Sequence, residues 1–375
     1  MKSMKFQICD LTDDEKYIKL ALNLAKKASN RVFPNPFVGC VIIKNNRIIS
    51  TGYHQYFGGP HAEIVALNKI KNKKILKNST MYINLEPCCH WGKTPPCCDV
   101  LIKSGIKRIV ISMSDPNPLV NGKGIQILRK NKIEIKTGIL QQQAEELNKV
   151  YIKYITKKLP YVIIKTAMTI DGKIATSTGD SKWISSDKAR QFVHKLRSEV
   201  DAVIVGINTV LKDNPELTTH SKNLKNPLRI IIDPYLKIPL NSKVLNIKTA
   251  PSIIISNKIV KENKKYDILC KKGIEILTFD LKNDIIDFNE IIQKLLNSGI
   301  YYVMIEGGGE TNYLALNSGV VDEMLFFISP IIVGGRNAKT PVEGIGIEKI
   351  KDAIKSKFCD EIKRFDNTVL LKIKF

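Results

Sequence analysis

Pro60-His61-Ala62-Glu63 and, further along, Glu86-Pro87-Cys88-Cys89-His90-Trp91-Gly92-Lys93-Thr94-Pro95-Pro96-Cys97-Cys98 are the stretches on which the fold and the chemistry turn. His61, Cys88 and Cys97 offer one imidazole and two thiolates, donors suited to tetrahedral zinc. Three protein ligands leave the fourth corner for water, as a catalytic zinc requires. Glu63, two residues after the histidine, stands beside that corner without ligating, where a carboxylate can move a proton. Cys88 and Cys97 each follow a proline at the start of an expected helix, whose positive end favours a thiolate. Cys88-Cys89 and Cys97-Cys98 could instead close a structural site with four sulfurs. Adjacent residues seldom both reach one metal without strain, so Cys89 and Cys98 are read as packing residues. Cys9, Cys40, Cys270 and Cys359 have no partner in spacing.

Working outward, Thr12 and Glu15 have capping-box spacing and open an amphipathic helix through about Ala28. VGCVII (38–43) and RIIS (47–50) flank Asn45-Asn46 as a β-hairpin. HAEIVALNKI (61–70) has helical spacing, MYINLE (81–86) is a strand, PPCCDVLIKSG (95–105) is a helix and KRIVIS (107–112) a strand. Strands separated by helices predict a sheet covered on both faces. A helical stretch, 141–155, runs into a boundary near 156–160, and YVIIKTAM (161–168) starts afresh. Strands are then expected at 202–206, 228–233, 251–256, 301–306 and 324–333, with helices near 187–198, 286–298 and 310–318. The expected domains are 1–158 and 159–375.

The chain of 375 residues is 43% hydrophobic and 25% charged, which excludes global disorder. No run of about 18 apolar residues predicts a membrane span, and the opening residues have no apolar core for a signal peptide. Eight cysteines without such a signal predict thiols or metal ligands in a reducing, cytoplasmic setting. The net charge of +23 comes from 50 Lys and only 9 Arg, beside 28 Asn. A chain built to grip phosphate backbones would be expected to use more Arg. The bias is read as that of an AT-rich genome, and no specific nucleic-acid partner is expected. Residues 1–158 carry 27 basic and 11 acidic residues, net +16, against +7 for the rest, yet aromatic-interleaved basic stripes are absent there.

The His-x-Glu…Pro-Cys layout is that of zinc-dependent nucleobase deaminases. With eight residues between the cysteines rather than the common two, and with PNPFVG (34–39), GYH (52–54) and DPNP (115–118), it resembles the bifunctional riboflavin-biosynthesis deaminase/reductase family over almost the whole chain. The resemblance implies a cytidine-deaminase-like three-layer α/β/α domain followed by a dihydrofolate-reductase-like α/β domain. It implies one Zn2+ per chain, a small phosphorylated pyrimidine substrate and a homo-oligomer. Asn35, His54 and His90 would face the pyrimidine and sugar, and Lys93 the phosphate.

In the second half, Glu306-Gly307-Gly308-Gly309-Glu310-Thr311 follows a strand and precedes a helix, where backbone N–H groups can approach a phosphate. It is not a G-x-G-x-x-G fingerprint, and alone it is equally a tight turn. KTAMTIDGKIA (165–175), GDSKWIS (179–185), VGINTVLKDNPELT (205–218) and IEGGGETNYLAL (305–316) are similar to the family's reductase domain, which uses NADPH. By that resemblance Ala167, Trp183, Thr209, Asp213 and the run Gly308, Gly309, Glu310, Thr311, Asn312, Tyr313 and Leu314 are cofactor contacts. Lys165, Ser181, Arg197, Leu217, His220 and Glu306 are substrate contacts, with Arg197 able to clamp a phosphate in two places. The family usually has Arg where His220 stands, and a hydroxyl where Pro234 stands. Lys165, Asp213 and Glu306 are the candidate proton donors for hydride reduction.

Overall fold

Asn45 and Asn46 both take the left-handed conformation, φ 48° and 56°, and close a two-residue hairpin between β1 (Gly39–Lys44) and β2 (Arg47–Tyr53). The computed structural model describes residues 12–91, 95–280, 287–359 and 362–375. It divides into two compact units, 1–158 and 159–375. In the first, α1 (Asp13–Ala25) begins at the expected capping box, with both Thr12–Glu15 bonds present. After the hairpin come α2 (Ala62–Asn68), β3 (Thr80–Leu85), α3 (Cys97–Ser104), β4 (Arg108–Met113), α4 (Lys123–Lys130), β5 (Glu134–Thr137), α5 (Gln141–Leu147) and α6 (Lys149–Lys157).

The strand order is β2-β1-β3-β4-β5, antiparallel through β3 and parallel beyond. The period of two sorts the side chains into two cores. Cys40, Ile42, Met81, Ile83 and Ile109 pack under Ala66, Leu101 and Leu128 of α2, α3 and α4. Val41, Tyr82 and Val110 face Ile18, Leu22 and Ala144 of α1 and α5. This is the three-layer arrangement expected. The 141–155 stretch is two helices rather than one: they meet at Asn148, whose φ of −103° and ψ of 14° break the helical run. Cys88 does not open a helix as expected; it lies in the segment after β3, and only Cys97 begins one.

The second unit contains, in chain order, β6 (Tyr161–Thr169), α7 (Asp187–Glu199), β7 (Ala202–Gly206), α8 (Ile207–Asp213), β8 (Leu228–Ile232), β9 (Ser252–Asn257), α9 (Lys264–Lys271), β10 (Glu275–Phe279), α10 (Phe288–Asn297), β11 (Tyr302–Ile305), α11 (Gly309–Asn317), β12 (Glu323–Ser329), β13 (Lys357–Phe358), β14 (Lys363–Phe365) and β15 (Thr368–Lys374). The order β10-β9-β8-β7-β11-β6-β12 is parallel throughout, and β15 then pairs antiparallel with β12. Parallel strands buried on both faces read as continuous apolar runs. Val162, Ile164, Ile204, Val303 and Ile305 accordingly pack against Phe288, Ile292 and Leu295 of α10. The strand expected through 333 stops at Ser329, because Pro330 has no N–H to continue the ladder. Among the described residues no helix is long and apolar enough to cross a membrane.

Candidate active sites

His61 is the N-cap of α2, Glu63 lies in that helix's first turn and Cys97 is the first residue of α3. Helix α2 reaches its place because residue 52 is glycine: a Cβ there would sit 2.3 Å from the Ala62 carbonyl oxygen. His61 Nδ1 is 3.2 Å from Cys97 Sγ and 3.5 Å from Cys88 Sγ, and all three donors lie within 4.8 Å of one another. Donors about 2.1 and 2.3 Å from a tetrahedral zinc stand roughly 3.6 Å apart, so this set fits that metal. The Cys97 backbone N–H points at Cys88 Sγ, 3.3 Å away. Together with the Cys97 thiol and His61, it holds the Cys88 thiol down to about 4. Glu63 is 3% exposed, and burial pushes its carboxyl above the usual range. Cys98 packs against Pro87 O and Cys89 turns toward Leu119 O, so neither joins the cluster. Cys40 is core, Cys270 is exposed and Cys359 half-buried.

Beside the cluster, His54 Nδ1 lies 3.0 Å from Pro60 O, which makes that nitrogen the donor. Its Nε2 then accepts from Asn35 Nδ2 at 3.1 Å, leaving the Asn35 carbonyl free of this bond. The His54 ring stacks edge-on against His61, with centroids 5.7 Å apart. His90 is half-buried and its Nδ1 has no partner among the described residues. Lys93 and Cys9 lie outside the described residues. Glu86, missed in the sequence, accepts backbone N–H groups of Asp115, Gly122 and Ile125 at 3.1, 2.9 and 3.1 Å and ties the Cys88 segment to the 115–125 loop.

In the second unit a cavity of about 870 Å³ opens at the carboxyl ends of β6, β7 and β11, where open parallel sheets bind ligands. Lys165 and Ala167 line it from β6, Ser181 and Trp183 from the following loop. Thr209, Asp213, Leu217, His220, Glu306 and the segment Gly308–Thr311 complete the expected residues on its wall. Asn312, Tyr313 and Leu314 do not line it. Asn312 is fully buried and donates to Pro341 O, Tyr313 lies against Gly344, and Leu314 packs on the core. Pro234 is also off the wall; its carbonyl accepts from Asn257 N–H. The glycines divide the work. A Cβ on Gly309 would sit 2.4 Å from Glu343 and 2.6 Å from Thr340 O, whereas the nearest atom to one on Gly308 is Thr209 Oγ1 at 4.0 Å. The uncapped start of α11 thus faces open space, a fitting place for a dinucleotide phosphate.

The charges at the cavity floor are mutually engaged. Arg197 grips Glu306 through Nε at 2.7 Å and Nη2 at 3.0 Å, and spends Nη1 on Thr218 O at 2.8 Å. Lys165 Nζ reaches the same carboxylate at 2.8 Å. Burial alone would raise the Glu306 carboxyl, but the two cations outweigh it and hold it well below the usual carboxylate range. Arg197, itself on the cavity wall, thus has its guanidinium fork on Glu306 in this structure. His194, unremarked in the sequence although it sits one helical turn before Arg197, accepts from Arg197 Nη1 at 3.3 Å and meets the His220 ring at 4.5 Å between centroids. Burial and the charges of Arg197 and His220 bring the His194 imidazole down to about 4. Arg190 stacks over Trp183 at 4.3 Å.

Residues 160–371 match the model of the RibD C-terminal domain, and residues 11–113 that of the cytidine and deoxycytidylate deaminase zinc-binding region. The riboflavin biosynthesis protein RibD of Aquifex aeolicus is 45% identical, with 91% of this chain and 93% of the relative covered. That of Actinobacillus pleuropneumoniae is 42% identical, with 92% and 91% covered. The solved structure of a diaminohydroxyphosphoribosylaminopyrimidine deaminase/5-amino-6-(5-phosphoribosylamino)uracil reductase from Thermotoga maritima superposes with a TM-score of 0.83 at 37% identity, covering 96% of this chain and 98% of that one. A three-donor cluster beside a buried glutamate in one unit, a strand-end cavity in the other and these relatives along nearly the whole length lead to one conclusion: the chain belongs to the RibD family, the bifunctional deaminase–reductases of riboflavin biosynthesis.

Proposed function

We propose that residues 1–158 hydrolytically deaminate 2,5-diamino-6-(5-phosphoribosylamino)pyrimidin-4-one to 5-amino-6-(5-phosphoribosylamino)uracil, and that residues 159–375 reduce its ribosyl group to ribityl with NADPH. The observation that carries the first step is the convergence of His61, Cys88 and Cys97 beside buried Glu63. When bound, zinc supplies a Lewis acid that brings the ionisation of water near neutral pH. Glu63 takes one proton from the attacking water and passes it to the ring nitrogen, then carries the second, from the hydroxyl that has added to the ring carbon, to the departing amino group. Water oxygen becomes the carbonyl oxygen and ammonia leaves. Asn35, His54 and His90 face the pyrimidine and sugar, and Lys93 the phosphate.

In the second step bound NADPH would supply a hydride for the sugar C1′, and the protein orients the two partners. The segment Gly308–Thr311 and the residues Ala167, Trp183, Thr209 and Asp213 hold the cofactor. Ser181, Leu217 and His220 hold the substrate. Arg197 is a positioning residue for Glu306. Glu306 is kept ionised and has no proton to give, so Lys165, 2.8 Å away and on the cavity wall, is the better proton donor. The enzyme works in the cytoplasm as a homo-oligomer. Ammonia release from the diaminopyrimidine nucleotide, assayed with and without NADPH, tests the scheme. Ammonia is expected without NADPH, and NADPH oxidation only after deamination. NADPH oxidation by the undeaminated nucleotide would sink the proposed order.

A further inference from the structure

Two buried polar side chains at the start of α6 reach the loop that carries Asn35 and the 115–117 turn that is tied to Glu86. Asn148, 1% exposed, joins α5 to α6 and makes a two-point clamp on Phe37: its Oδ1 accepts the Phe37 N–H at 2.8 Å and its Nδ2 donates to the Phe37 carbonyl at 3.1 Å. Asn84, fully buried in β3, completes the grip. Its Nδ2 donates to the same carbonyl at 2.9 Å and its Oδ1 accepts Gly39 N–H at 2.7 Å. Phe37 is two residues from Asn35, so the backbone that presents the Asn35 amide is pinned from both sides.

Tyr151 lies in the first turn of α6, three residues after the Asn148 junction. It is 6% exposed, and its hydroxyl donates to Asp115 Oδ1 at 2.7 Å. That oxygen also accepts Asn117 N–H at 2.9 Å, and Asp115 N–H is held by Glu86 Oε2 at 3.1 Å. The 115–117 turn is thereby fixed to the segment carrying Cys88. Neither Asn148 nor Tyr151 belongs to the metal-donor cluster, and both lie beyond residues 11–113, the span matched by the zinc-binding region.

We infer that Asn148 and Tyr151 are positioning residues of the deaminase, and that α6 sets the spacing of its substrate pocket by holding the 34–39 loop and the 115–117 turn at once. The inference rests on the proposed reading of Asn35 as a substrate contact. It separates two parts of the catalytic apparatus: α2 and α3 with the Cys88 segment supply metal donors and Glu63, while α6 sets the walls that orient the base. Loss of an α6 contact therefore acts on substrate binding while the metal donors stay in place.

The test uses the full chain. Tyr151→Phe, which loses one hydrogen bond, and Asn148→Ala, which loses two, are each expected to raise KM for the diaminopyrimidine nucleotide by about tenfold or more. Zinc content and the reductase parameters stay at their starting values. Asn35→Ala is expected to raise KM as well, and the Asn35→Ala/Asn148→Ala pair to raise it by less than the product of the single effects, because both act through one loop. A lowered melting midpoint with KM unchanged in both Asn148→Ala and Tyr151→Phe would mean these residues only stabilise the fold and would overturn the inference. So would a full product of effects in the double variant. KM unmoved by Asn35→Ala but raised by the α6 variants would instead overturn the assignment of Asn35 and leave the role of α6 standing. Tyr151→Phe removes one oxygen and decides the matter if Asn148→Ala does not fold.

Discussion

At the scale of single residues, chemistry that resides in the side-chain type was legible and chemistry that resides in pairing was not. His61, Glu63 and Cys97 could be read from identity and spacing. Glu63→Gln is expected to keep zinc and lose deamination, since an amide cannot shuttle a proton; near-normal ammonia release would refute the role. Metal analysis of Cys97→Ser should show depleted zinc, and full occupancy with unchanged activity would point to another sulfur. Arg197, by contrast, was readable only as a cation, because its partner Glu306 is 109 residues away. His194 allows a pH prediction. Its folded pKa, about 4, lies below the ordinary value of 6.5. The unfolded chain therefore binds the proton more readily, and the stabilisation present above pH 6.5 is lost as pH falls toward 4. Discounted for its solvent-facing edge, the loss at pH 5 is on the order of 1 kcal/mol. His194→Gln should flatten the fall in melting midpoint between pH 7 and 5, and an equally steep fall would show that other groups set it. His220→Arg places a full charge on the cavity wall. KM for the reductase substrate should then fall by up to about tenfold, one charge-assisted bond of roughly 1.4 kcal/mol. An unchanged KM would place the phosphate elsewhere.

At the scale of elements, the periodic segments appeared close to where the sequence predicts them, and the departures have local causes. Helix α1 starts at its capping box, the hairpin turns on two left-handed asparagines, and α3 ends at Gly105 with φ 83°. The loops carrying site residues are held by groups that periodicity does not register. Arg229 in β8 is fully buried. Its guanidinium, which burial brings down to about 10, donates to the carbonyls of Glu216, Asn246 and Ala250 at 3.2, 2.9 and 2.5 Å. It thus ties the loop bearing Leu217 and His220 to the chain before β9. Arg229→Met should leave those carbonyls unpaired and destabilise the second unit by about 3 kcal/mol. Denaturant unfolding followed through NADPH oxidation checks this, with ammonia release as the unaffected control. A cost below about 0.5 kcal/mol, the level of an ordinary surface substitution, would mean water replaces the arginine.

At the scale of the whole molecule, each unit has its own hydrophobic core, and units of this size bury enough surface to fold alone. Residues 1–158 expressed alone should deaminate without NADPH, and 159–375 should oxidise NADPH only when given the deaminated nucleotide. Loss of either activity on separation, restored by mixing, would show that the sites need each other. The net charge of +23 is mostly lysine. RNA should therefore bind no tighter than about micromolar at physiological salt, and the binding should fall steeply as salt rises.

Composition, spacing and period by themselves determined the two-domain α/β organisation, the His-Cys-Cys donor set, the carboxylate beside it and the glycine run after β11. Each of these depends on local order along the chain or on residue types that few other chemistries require. Only the tertiary structure decided that Cys88 meets the start of α3 from a separate segment. It alone committed Arg197 to Glu306, turned Asn312, Tyr313 and Leu314 off the cavity wall, and brought Asn148 and Tyr151 to the 34–39 loop and the 115–117 turn. Those outcomes come from pairings between residues as much as 111 positions apart. Such pairings arise when buried polar groups that have left water must find partners wherever the packed fold offers them.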